Sequence, residues 1–305
     1  MSTEAQKQAT TDRIGLGLAA MFVSVAVFAF MDMTAKWLTM AGYNPLQVVF
    51  MRYVIALLPL GILVLFIERA KFTTSRLKLI ALRGALMAFT LTLFFWGLRD
   101  LPLAEAIAVV FTAPLFVTAL SGPVLGEKVG PQRWAGVALG FIGMLIIVRP
   151  GSAAFQLPSL IILCSAFTFA FTVFLTRALT RTESNLVIYT YTTLSATIAT
   201  AILQPLIWKT PELEHLPWFV MMGLVGGLSS YLIIVAYRNA PVAVVAPLDY
   251  IALLWGALYG WLIWREKPDS MVWLGAAIIV VSGLFITWRE TRKIKPPPMQ
   301  KSPAG

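Results

Sequence analysis

Apolar residues along the chain gather into long runs, separated by short polar stretches. Ten runs are readable, at 14–38, 45–67, 79–98, 103–125, 132–149, 157–177, 186–207, 217–237, 242–264 and 271–288. Their lengths match the roughly 17–25 residues a helix needs to cross about 30 Å of hydrocarbon. The two-residue alternation of a membrane barrel is missing, so the pattern predicts an all-α polytopic membrane protein with ten transmembrane helices. Turn and helix-start signals punctuate the connections: Gly42 to Pro45, Pro102, Gly130-Pro131, Pro150-Gly151, Pro241 and Pro268. The run that follows the polar stretch from Met1 to Arg13 is too long for a cleaved signal peptide and leads into Lys36-Trp37, so it reads as a retained span. The stretch 290–305, with Pro296-Pro297-Pro298, is expected to be a disordered cytoplasmic tail.

Composition agrees with a lipid bilayer as the solvent. Of 305 residues, 59% are hydrophobic and 12% charged, where a soluble domain carries about a quarter charged. The net charge of +10 does not indicate nucleic acid as a partner, because the basic residues sit in the connections and the tail. With a cytoplasmic N-terminus, sixteen Lys and Arg fall on the cytoplasmic side and five opposite. Both termini are therefore expected in the cytoplasm, the chain lying in the inner (plasma) membrane. Cys164 stands alone within a span and reads as a small packing residue. His215, in a connection with Glu212 and Glu214, reads as solvated. No phosphate loop is present, so ATP does not drive the protein directly, and nothing calls for a metal or another cofactor.

The chain also resembles itself. At an offset of 141, Ser24 meets Ser165, Phe28-Ala29-Phe30 meets Phe169-Ala170-Phe171, and Lys36 meets Arg177. At an offset of 139, Arg99 meets Arg238, Pro102 meets Pro241, Glu127-Lys128 meets Glu266-Lys267, and Trp134 and Gly136 meet Trp273 and Gly275. Each copy holds five spans, an odd number, so the second is expected to enter the membrane inverted, as in many secondary transporters. The copies are assigned to 14–149 and 155–289.

Five plus five helices, the charges of the first span, Arg52 in the second and Glu-Lys after the fourth and ninth together resemble the drug/metabolite transporter superfamily. The stretch Ala246-Pro247-Leu248-Asp249-Tyr250, then Leu254-Trp255 and Glu266-Lys267-Pro268, is similar to the ninth helix of its EamA-type ten-helix branch. The resemblance covers about 14–289. It implies carriage of amino acids, vitamins, nucleoside derivatives or other metabolites, through a cavity lined mainly by helices one, three, four, six, eight and nine.

Charges inside a bilayer cost at least about 2.5–3.5 kcal/mol each and are functional candidates by default. Asp32 and Lys36 are one turn apart on one helical face, either as a self-neutralising pair or as substrate and coupling groups. Arg52 lies two turns into the second span, as an interhelical anchor or a substrate contact. Glu105 opens the fourth span as a cap or a site residue. Asp249 follows Pro247, which frees a backbone carbonyl, and has Tyr250 beside it; Tyr250 and Trp255 would form an apolar wall for a planar substrate. Pro114 and Pro247 interrupt corresponding spans, a pointer to the binding site. The repeated Glu127 and Glu266 suggest a structural clamp, and Gly136, Gly140, Gly143, Gly223, Gly226 and Gly227 suggest close helix packing. The expected function is alternating-access carriage of a small polar molecule, with a coupling proton as a candidate partner. A membrane-embedded enzyme is the alternative; a pore would need a repeated ring of like charges, which is missing.

Overall fold

A computed structural model describes the backbone of residues 3–66, 73–126, 130–150, 156–240 and 245–293. Among them all regular structure is helical: α1 (Thr3–Met40), α2 (Pro45–Phe66), α3 (Leu77–Asp100), α4 (Leu103–Val110), α5 (Ala113–Leu125), α6 (Pro131–Val148), α7 (Leu157–Leu179), α8 (Asn185–Ala201), α9 (Gln204–Ile207), α10 (Leu216–Asn239), a 3-10 turn (Ala246–Ile251), α11 (Ala252–Trp264) and α12 (Ser270–Lys293). Five stretches among the described residues are long and apolar enough to cross a membrane: Ile14–Met40, Leu77–Asp100, Leu103–Val124, Pro131–Val148 and Leu157–Leu179. The apolar stretches Pro45–Pro59, Leu216–Ser229, Leu248–Trp264 and Ser270–Ile286 are shorter. The expected tail falls largely at 294–305, and Glu127, Lys128 and Pro241 likewise lie outside the described residues.

Local chemistry sets the helix ends. Pro45 and Pro131 open α2 and α6, where a missing amide hydrogen leaves no bond unmade. The Ser184 hydroxyl caps α8 by accepting from the Val187 amide at 3.3 Å. Gly126 closes α5 in the left-handed conformation at φ 71°. Breaks fall inside three predicted spans. The fourth pauses at Phe111-Thr112, just ahead of Pro114, and the seventh between α8 and α9. The ninth begins as the 3-10 turn containing Pro247.

Packing is reciprocal. α1 lies along α10 and α7 along α3; α2 meets α10 and α8 meets α3; α2 meets α8, α4 meets α11, and α6 meets α12. Exchanging the first five predicted spans for the second five maps each pairing onto another or onto itself. The same holds for single bonds. Ser24 donates to the Ser229 carbonyl at 3.0 Å, and its repeat partner Ser165 donates to the Thr90 carbonyl at 2.9 Å. Thr90 and Ser229 are themselves counterparts, sharing the offset that relates Arg99 to Arg238.

Glycines permit the closest approaches. A Cβ on Gly84 would lie 2.6 Å from the Thr192 carbonyl oxygen, and one on its repeat partner Gly223 would lie 2.5 Å from Ile55. Gly143 of α6 and Gly275 of α12 bring backbone against backbone: a Cβ on either would meet the other's carbonyl oxygen, at 2.8 and 2.5 Å. Gly227 has nothing within 4 Å of a Cβ. Gly84→Val is therefore expected to destabilise the folded protein by about 1–3 kcal/mol, the usual range for overpacking. Gly227→Ala should leave the thermal midpoint unchanged; equal midpoints for the two variants would contradict the packing at Gly84.

Candidate functional site

The polar groups of the bundle fall into three places. The first is the end where α1 finishes and α4 begins. Lys36 is 2% exposed. Its ammonium donates to the Leu101 carbonyl at 2.5 Å and forms an ion pair with Glu266. The second Glu266 oxygen accepts the Leu103 amide at 2.8 Å, so one carboxylate holds α1, the start of α4 and the end of α11. This corrects the expected contact between Lys36 and Asp32. The lysine stem reaches across to a carboxylate and a carbonyl of other segments, instead of folding back one turn.

Other contacts close the same end. Arg149 pairs with Asp269 at 2.5 Å. Glu105 faces Ser159 of α7 and feels the charges of Arg149 and Lys36. Tyr43, 1% exposed, accepts the Glu212 amide at 3.0 Å and hydrogen-bonds His215 Nδ1 at 2.9 Å. His215 is thus packed against Trp37 and Tyr43, not solvated as its loop position suggests, because two rings and a hydroxyl enclose it. Hydrogen bonding from Arg149 holds the Asp269 carboxyl below the usual carboxylate range. A depressed carboxyl contributes stability above its unfolded-state value and loses it as the pH falls through the folded one. The Arg149–Asp269 contact should therefore persist from about pH 7 to pH 5, checked by thiol labelling of a cysteine at Ser270 that keeps a constant ratio to the labelling of a free thiol, since only the thiolate reacts. A ratio that rises steeply by pH 5 would contradict it.

The second place is the meeting of α1, α2, α8 and α10. Asp32 is 5% exposed and its Oδ1 has no hydrogen-bond partner; the charge acting on it is Arg52. Arg52 Nε donates to the Met31 sulfur at 3.3 Å, and its guanidinium lies 5.0 Å from the Tyr53 ring centroid. Arg52 and Tyr53 line a cleft of ≈ 250 Å³ with Ala56, Tyr189, Thr193, Gly223, Gly226 and Gly227. The Tyr53 hydroxyl is buried without a partner. One layer away Arg83 donates to Thr176 at 2.8 Å and Thr192 at 2.7 Å. Arg83 and the hydroxyl-rich run Tyr189 to Thr193 are not among the candidates that sequence reasoning selects. The run is visible as consecutive hydroxyl residues inside an apolar span, whereas Arg83 passes for a residue near a span edge.

The third place joins the two helix breaks. Tyr250, in the 3-10 turn, packs its ring 4.9 Å from that of Phe111, at the pause between α4 and α5. The corresponding interruptions of the two halves thus touch. Asp249 beside it makes no hydrogen bond or ion pair among the described residues. Trp255 stacks on Tyr259 at 5.7 Å and meets Phe22 edge-on at 5.8 Å, while its indole nitrogen is buried without a partner. Protein rings already cover the faces expected to form a wall for substrate.

Two reciprocally packed sets of helices that meet at corresponding breaks match a known family. The profile of the EamA-like transporter family matches residues 15–149 and again 156–288. The chain belongs to the EamA-like transporter family.

Relatives of this EamA-like protein are named for small metabolites. A riboflavin transporter of Vibrio cholerae is 32% identical over 288 residues, covering 91% of this chain and 94% of that protein. A riboflavin transporter of Rhizobium johnstonii is 30% identical over 93% of this chain and 95% of its own. An S-adenosylmethionine uptake transporter of Rickettsia bellii is 26% identical over 91% of this chain and 95% of that protein. A solved structure superposes with a TM-score of 0.60 at 16% identity, over 93% of this chain and 99% of the other, a likeness of fold alone. This EamA-like protein is a multi-pass membrane transporter of a small metabolite, not an enzyme.

Proposed function

We propose that this transporter carries riboflavin, or a molecule of like build with a flat heteroaromatic ring and a polar tail, by alternating access. The observation that carries the cargo is the 32% identity to a riboflavin transporter over 91% of the chain. Ten crossings form two inverted repeats, 14–149 and 155–289, with both termini on the cytoplasmic side of an inner membrane. The reciprocal packing and the equivalent Ser24 and Ser165 bonds support that arrangement. In this reading the Lys36–Glu266 and Arg149–Asp269 contacts form a closed external gate, and Asp32 or Asp249 carries a coupling proton.

A second cargo has its own observation. Asp249 makes no hydrogen bond or ion pair among the described residues, and a cationic sulfonium or ammonium, as in S-adenosylmethionine, would supply it with a counter-charge. Uptake into proteoliposomes separates the two. Saturable riboflavin uptake with counter-flow is expected; uptake of S-adenosylmethionine without riboflavin would transfer the assignment to the second cargo.

Orientation has a direct check. A cysteine at Leu213, which is 88% exposed, should react with an impermeant thiol reagent in intact cells, and one at Ser75 should not. His215 is a poor probe position because its side chain is only 13% exposed. Reversed labelling would invert the assignment.

A further inference from the structure

We propose that the cleft between α2, α8 and α10 is an anion subsite, taking a phosphate or carboxylate either on the transported molecule or as a separately bound ion. The inference extends the flavin-like reading of the cargo but does not depend on it.

Charge balance is the first argument. Arg52 and Arg83 are two cations within one layer of each other's contacts, Tyr53 lying beside both. Among the described residues neither has a carboxylate within ion-pair distance. Arg83 is satisfied by neutral threonine hydroxyls, and Arg52 donates to a sulfur, a weak acceptor. Asp32 is an acid that interacts with Arg52 through space. With Asp32 ionised the cluster carries one net positive charge, and with Asp32 protonated it carries two. In a low-dielectric interior an uncompensated cation is costly, and an anionic group in the cleft would remove that cost.

Geometry is the second argument. The Tyr53 hydroxyl is a buried donor with no partner, on a residue 5% exposed that lines the cleft. A guanidinium and a phenol on adjacent residues present convergent donors, the arrangement that favours carboxylate or phosphate oxygens. Opposite them Gly227 leaves open space, so an oxygen-rich group can approach the backbone of α10. Much of the cleft's ≈ 250 Å³ is open to solvent, and the part that the centre of a water molecule can reach is ≈ 30 Å³, room for a small group of atoms. It suits a charged group, not an entire cargo.

Symmetry is the third. Aligned on Leu46 and Leu186, an offset of 140 between the 141 and 139 found on either side, Tyr53 and Thr193 occupy corresponding places, and both line the cleft. The site thus straddles the relation between the halves, yet its cation comes from the first half alone. Arg52 corresponds to Thr192, which itself accepts a hydrogen bond from Arg83. A purely structural brace would not need two cations on one side of a symmetric scaffold.

The protein in lipid nanodiscs is titrated with inorganic phosphate at constant ionic strength and followed by thermal shift, while riboflavin and flavin mononucleotide are titrated by flavin fluorescence. Phosphate is expected to raise the midpoint. If the anion belongs to the cargo, flavin mononucleotide binds at least about tenfold tighter than riboflavin, and phosphate competes with it. A separately bound ion gives the phosphate shift with no preference between the flavins. Arg52→Gln should remove whichever effect is seen. Tyr53→Phe, a milder change that keeps the ring, should weaken it should Arg52→Gln fail to fold. No phosphate shift together with equal binding of both flavins overturns the subsite and leaves the riboflavin reading standing. A phosphate shift with no flavin binding supports the subsite and overturns that reading.

Discussion

Lys36→Met alone is expected to be among the most damaging single substitutions in the chain. It strands the Glu266 carboxylate, whose side chain is 18% exposed, beside a lysine position whose side chain is 3% exposed. Breaking a buried pair from one side typically costs about 3–5 kcal/mol. Glu266→Gln should be nearly as harmful, since it leaves the buried ammonium with only the Leu101 carbonyl, although an amide oxygen can still accept from Leu103. Joining the two substitutions removes both charges and should recover most of the lost stability. Yield of monodisperse protein and its thermal midpoint are the readouts. The combination of Asp32→Asn with Lys36→Met should give no such recovery, because those side chains do not pair. Recovery in that double variant and not in the first would reverse the assignment of partners.

Asp32→Asn should act on transport and spare the fold. Its Oδ1 is buried with no hydrogen bond to lose, and Arg52 acts on it only through space. The variant should insert normally and lower uptake by at least about tenfold, a loss of roughly 1.4 kcal/mol of transition-state stabilisation. Exchange of cargo in the absence of a gradient separates the roles. If Asp32 carries the coupling proton, exchange survives while accumulation fails; if it contacts cargo, both fail. Uptake near the wild-type rate would return Asp32 to a structural role.

Much of the fold is legible in the sequence because bilayer physics writes it plainly. Runs of Leu, Ile, Val and Ala long enough to cross hydrocarbon have one good conformation, and most helices begin and end within a few residues of the predicted spans. The breaks are legible where proline accompanies them, at Pro114 and Pro247, and Pro205 stands just after the pause between α8 and α9 in the same way. The site is harder to read. Spacing shows that Asp32 and Lys36 share a helical face, but a single turn of separation cannot tell whether a long lysine stem folds back or reaches across. The answer depends on Glu266, which stands near the end of the second repeat. Glu266 is legible as a clamp from its repetition in Glu127, though not as the partner of Lys36. Trp255 is visible as a deep aromatic, while the coverage of its faces by Phe22 and Tyr259 is a tertiary fact with no local signal. Arg83 looks interfacial from its place near a helix start, although two threonines from other helices enclose it.

The backbone contact between Gly143 and Gly275 determines where motion can be large. α6 and α12 are counterparts whose backbones meet at these glycines, and a contact this close travels little while it stays packed. Ile147, Ile278 and Ile279 close around the two glycines, so the seam can act as a fulcrum for tilting but not for sliding. α2 and α8 form another self-paired seam, and the cleft lined by Arg52 and Tyr53 belongs to it, not to the glycine contact. A few degrees of tilt would barely disturb the glycines, yet would change the width of that cleft. Substitution at the fulcrum should therefore alter the rate of opening more than the affinity for cargo.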